Sequence, residues 1–126
     1  MPTYGDNQCL GRVLGVNLDA DDNTDVEVTI PNGGKRYDVT RVIATNVSAD
    51  ISGDSAEVGL HTAPLGAGVD IVADTTVAEL TAPEIVKSFT VASTDTILTS
   101  TLYISLSVPN GNPATADFYI FGNIYS

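Results

Sequence analysis

His61 is the only histidine in the chain, and it closes a short alternating run through Ala56, Val58 and Leu60. A catalytic imidazole needs one group to activate and another to orient it. No cysteine lies near His61 in sequence, and no Gly-x-Ser-x-Gly elbow is present to seat a serine nucleophile. A hydrogen-bonded structural role is therefore the expectation for His61. Sixteen Asp and Glu residues bring some carboxylates to glycosidase-like separations of roughly 5–10 Å by chance alone, so such pairing carries no information. Glycosidase sites also favour aromatic platforms, and the chain has no Trp. Asp19, Asp21, Asn23 and Asp25 match the oxygen spacing that opens a calcium loop. Thr24 and Ile30 stand where that loop needs Gly and Glu, so an Asp/Asn-rich turn explains the segment without a metal. Gly66-Ala67-Gly68 lacks the Lys and the following helix of a phosphate-binding loop. Cys9 is the one cysteine, which excludes an intrachain disulfide and a Cys-rich zinc site. Beside Leu10 it reads as a small buried apolar residue. The expectation is a non-enzyme with no cofactor and no metal.

Charge narrows the partners. Five Lys and Arg stand against sixteen Asp and Glu, a net charge of −11. Nucleic-acid binding depends on neutralising phosphates, so neither a nucleic acid nor an anionic membrane is an expected partner. Lys35, Arg36 and Arg41 hold three of the five positive charges and flank one predicted strand. On so acidic a chain, they form a candidate patch for docking onto an acidic surface. Charge also multiplies in any oligomer, so self-association needs apolar contacts, cations or a basic partner.

These residues are positioned by strands. The chain has 126 residues, 43% of them hydrophobic and only 17% charged, which suits one folded domain rich in sheet. No apolar stretch approaches the ~20 residues of a membrane helix. The first residues have neither the basic flank nor the apolar core of a secretory signal. Residues 1–10 have no periodicity and read as an arm or peripheral segment, with 11–126 as the domain. Alternation of period two marks strands over 26–30, 36–48, 56–62, 85–92, 101–108 and 115–122, with a strand weakened by glycine at 11–18 and a short one at 69–73. Gly11 and Gly15 imply a bulge or a close backbone approach, and 36–48 should bend near Thr40-Arg41. One helical turn is expected over 75–80, with Thr75 or Thr76 as cap and Glu79 completing a capping box from Thr76. Pro109-Asn110-Gly111-Asn112-Pro113 between two alternating runs predicts a hairpin. About eight strands with closely spaced turns and at most one short helix argue for an all-β, single-domain antiparallel β-sandwich. A jelly-roll-like winding is the first expectation and an immunoglobulin-like one the second.

Three blocks carry a family resemblance: Thr40-Arg-Val-Ile-Ala-Thr-Asn-Val-Ser48; Gly59-Leu-His-Thr-Ala-Pro64 with Val69-Asp-Ile-Val-Ala73; and Thr101-Leu-Tyr-Ile-Ser-Leu-Ser107 with Ala114-Thr-Ala-Asp-Phe-Tyr-Ile-Phe-Gly122. Together they resemble the cement or decoration proteins of tailed bacteriophages, small accessory proteins of the virion. The resemblance implies a jelly-roll domain, made in the host cytoplasm, that binds the major capsid protein on the capsid exterior. It also implies a homotrimer that stabilises the shell. Candidate contacts to the capsid or between subunits are Tyr4 and Leu10 in the arm, Lys35, Arg36 and Arg41, and the tail residues Phe121, Ile124 and Tyr125. The competing expectation is a carbohydrate- or receptor-binding module of a phage fibre or adhesin, with tyrosines as stacking faces.

Overall fold

The computed structural model describes residues 8–20, 24–93 and 95–125. Eight strands are formed: β1 (Gln8–Asn17), β2 (Thr24–Thr29), β3 (Tyr37–Thr45), β4 (Glu57–His61), β5 (Asp70–Thr76), β6 (Lys87–Phe89), β7 (Thr101–Val108) and β8 (Thr115–Ile124). They make two four-stranded sheets, ordered β1-β8-β3-β6 and β2-β7-β4-β5. Each strand of the first half pairs antiparallel with a counterpart from the second: β1 with β8, β2 with β7, β3 with β6, β4 with β5. The chain is in effect one long hairpin, turned at β4–β5 and rolled up. The β3–β8 and β4–β7 ladders close the roll. This is the jelly-roll form of a β-sandwich.

Alternation decides which side chains fill the space between the sheets. Ala116, Phe118 and Ile120 of β8 are buried, as are Leu102, Ile104 and Leu106 of β7 and Val58 and Leu60 of β4. The rings of Phe89 and Phe118 stack at 6.0 Å between centroids. Each large apolar side chain withdrawn from water in this way contributes about 1.5–3 kcal/mol. β3 bends where expected, because Val39 pairs with Gly122 and Arg41 with Phe121, leaving Thr40 as the extra residue of a bulge. β1 is irregular on both sides of Gly11 and Val13. A Cβ on Gly11 would lie 2.9 Å from the Val28 side chain, so this glycine lets β1 lie close to β2 across the rim of the sandwich.

Several expectations are corrected. First, β7 and β8 do not form a hairpin. They belong to different sheets, and residues 109–114 carry the chain across the sandwich. That crossing is tied to another turn, since Leu18 N donates to Ala114 O and Asn110 N to Leu18 O. Second, no helical turn forms at 75–80. Thr75 and Thr76 finish β5, and Glu79 accepts a hydrogen bond from Lys87 Nζ of β6 rather than closing a capping box. Third, Gln8, Cys9 and Leu10 are part of β1 and not of an arm. Cys9, read as buried, is exposed.

Candidate functional site

The outer face of the β2-β7-β4-β5 sheet is acidic. Its strands carry Asp25, Glu27, Glu57, Asp70 and Asp74, with no Lys or Arg. His61 lies among these carboxylates. Its Nδ1 is 2.8 Å from Asp70 Oδ1 and its Nε2 is 3.3 Å from Asp74 Oδ1. The ring is thus held between two carboxylates, one at each nitrogen. The ring is 2% exposed. It lies over Gly59, where an added Cβ would meet Asp74 Oδ1 at 2.5 Å and His61 Nε2 at 2.7 Å. The connection from Thr62 to Val69 then folds back across the sheet as a strap, because Leu65 N donates to Asp25 Oδ2 at 2.7 Å. The other oxygen of Asp25 accepts from Ser105 Oγ at 2.6 Å. The Ser105 hydroxyl therefore donates to Asp25 and not to the imidazole. Among the described residues, no group of three His, Cys, Asp or Glu side chains could hold a metal ion.

The opposite outer face has a different chemistry. In an antiparallel ladder directly opposed residues share a face. On β8, Tyr119 is flanked by Arg12 of β1 and Ile43 of β3, and Phe121 by Cys9 and Arg41. Tyr119 and Phe121 are half-buried, and Arg12 and Arg41 are exposed. The Arg41 guanidinium lies 6.0 Å from the centre of the Phe121 ring, within reach of a cation–π attraction. Two carboxylates also belong to this face, but neutral donors hold them. Asp38 accepts from Asn123 and from Tyr125 Oη, and Asp117 from Gly15 N and Asn46 Nδ2. Among the described residues the salt bridges involve only His61 with Asp70 and Asp74, and Lys87 with Glu79. Neither Arg12 nor Arg41 is paired with a carboxylate of the described residues.

The structure sorts the sequence candidates unevenly. Arg41 and Phe121 are neighbours at the centre of the Arg–aromatic face. Arg36 and Tyr125 lie at its end, where Tyr125 N donates to Arg36 O. Lys35 is exposed in the turn before β3. Leu10 is a correction: it is 3% exposed, a core residue that offers no surface to a partner. Ile124 likewise packs against the core. Tyr4, Asp21 and Asn23 lie outside the described residues. Asp19 and Asp25, the remaining calcium candidates, serve different loops, Asp19 Oδ1 accepting from Gly111 N and Asp25 from the strap.

Sequence reasoning missed Arg12, Tyr119 and Ile43, although the alternation of 115–122 already placed Tyr119 beside Phe121 on the polar side of the strand. It also missed Asp70 and Asp74 as partners of His61. A hairpin between the runs 56–62 and 69–73 would have set His61 opposite Asp70. No protein-family model matches the chain, and no curated protein matches it.

Proposed function

We propose that this chain is a structural virion protein, one that binds the outside of a tailed-phage capsid as a cement or decoration protein. The observation that carries the reading is the division of its two outer faces. One is acidic and has no Lys or Arg in its strands, and the other presents arginine and aromatic side chains from three adjacent strands. Such a domain is built to sit between a partner and solvent. The Arg–aromatic face has the composition of a contact centre, and the acidic face keeps the decorated particle soluble. A jelly roll is compatible with capsid binding, and the family resemblance supplies the particular partner, the major capsid protein. Stabilisation then follows from area, since a stable contact buries more than about 1,000 Å² that disassembly must expose.

The test compares capsids of the encoding phage with and without the chain. Decorated shells should withstand a higher temperature before releasing DNA. Equal heat stability, with the chain absent from purified particles, removes the reading. A second reading, a carbohydrate- or receptor-binding module, is favoured by one observation: Tyr119 and Phe121 present adjacent half-exposed rings on which a sugar could stack. A glycan array with specific hits that are lost in Tyr119→Ala would put this reading first.

A further inference from the structure

We infer that the outer face of the β1-β8-β3-β6 sheet, centred on Arg12, Arg41, Tyr119 and Phe121, docks onto a carboxylate-bearing protein surface. The inference rests on the decoration reading and names the chemistry of the capsid contact. Arg12 and Arg41 lie on opposite sides of the β8 aromatics, in successive rows of the ladder. Each is exposed, and neither has a carboxylate partner among the described residues. The guanidinium matches a carboxylate with two parallel hydrogen bonds. Tyr119, Phe121 and Ile43 supply the apolar centre that excludes water from those bonds and makes them count. The acids of this face do not compete, because Asp38 and Asp117 already accept from Asn123, Tyr125, Gly15 and Asn46.

Two other occupants fit less well. The acidic face of a second copy is complementary in charge, but it lies on the far side of the same sandwich. Face-to-face stacking would run on without closing, between copies that each carry −11. A nucleic acid needs many cations along its backbone, and strands β1, β3, β6 and β8 together hold only Arg12, Arg41 and Lys87.

The experiment has two arms. In the first, capsids of the encoding phage, stripped of this chain, are sedimented with wild type, with R12E/R41E, and with Glu27→Lys on the acidic face. Wild type and E27K should co-sediment. The double reversal should bind roughly a hundredfold more weakly while keeping its melting temperature, since both arginines are exposed. Undiminished binding of R12E/R41E overturns the inference, as does a loss confined to E27K. In the second arm, a glutamate-rich peptide is titrated into the wild-type chain and followed by amide NMR. Shifts should cluster at residues 12, 41–43 and 119–121. Shifts that are absent, or that fall on β4, β5 and the strap, overturn it. So does a single-stranded DNA that moves the same amides at lower concentration than the peptide. Peptide shifts on this face without capsid co-sedimentation would uphold the recognition of carboxylates and remove the capsid as partner.

Discussion

Tyr37 shows how one side chain fastens a loop to the sandwich. It is fully buried, and its Oη donates to the Thr99 carbonyl at 2.7 Å. Its backbone exchanges two further hydrogen bonds with Ile97. Burial disfavours the phenolate and pushes the phenol from 10.0 up to about 12. A raised value in the folded state means that the fold holds this proton more tightly than the unfolded chain. The associated stability is fully present below pH 10 and is lost as pH rises toward 12. Over that window the unfolding free energy should fall by about 2–3 kcal/mol more than in Tyr37→Phe, which cannot titrate. At neutral pH the variant itself should cost about 1 kcal/mol for the lost hydrogen bond. Denaturant titrations of both proteins between pH 8 and pH 12 check this. Parallel curves would mean that the phenol does not carry the linkage.

At the scale of elements, the strap shows what holds a loop onto a sheet. Leu65 has φ of 59° and Gly66 of 70°. A left-handed leucine costs about 1 kcal/mol or more, and the bond from its N–H to Asp25 helps to hold it there. Asp25→Ala removes that acceptor and also leaves the buried Ser105 hydroxyl without its partner. The expected loss is about 1–3 kcal/mol. Amide exchange at Leu65 should rise more than exchange in β7, because the strap is released before the sheet melts. Equal rises in both would make Asp25 a part of the global fold with no special hold on the strap.

The strap also marks the limit of what the sequence disclosed. Runs such as Leu102–Leu106 and Ala116–Ile120 show their faces by period two, so most strands and the buried face of each were legible. The bend at Thr40 showed as well, but not the face beyond it: the bulge shifts the alternation of β3 by one residue, so Val42 and Ala44, and not Ile43 and Thr45, join Tyr37 and Val39 in the core. Pairing was not legible in the same way. Pro109–Pro113 looks like a hairpin turn because turn residues report that the chain reverses, not which sheet it enters next. Only the long-range ladders β1–β8 and β2–β7 decide that, and they join residues about a hundred positions apart in the first case and about eighty in the second. The Arg–aromatic face was hidden for the same reason. Arg12 and Arg41 come from strands separated in sequence, and they meet only because β8 lies between them.

At the scale of the whole molecule, the two contacts proposed for it, docking and self-association, should respond to salt in opposite ways. Docking through Arg12 and Arg41 onto an acidic surface is driven by attraction between opposite charges, and screening weakens the approach. A homotrimer, which the family resemblance implies, would multiply a charge of −11 threefold. Its copies repel, and screening relieves that repulsion. Apolar trimer contacts would escape that repulsion, and exposed side chains such as Leu14, Val86 and Leu98 are available for them. Raising salt from 10 mM to 150 mM shortens the screening length from about 30 Å to about 8 Å. Over this range the sedimentation mass of the isolated chain should move toward the trimer, while the affinity for capsids falls. The two measurements need no variant and use the chain as it is. If capsid affinity instead rose with salt, the docking contact would be apolar in character, and Arg12 and Arg41 of the β1-β8-β3-β6 face would have no part in it.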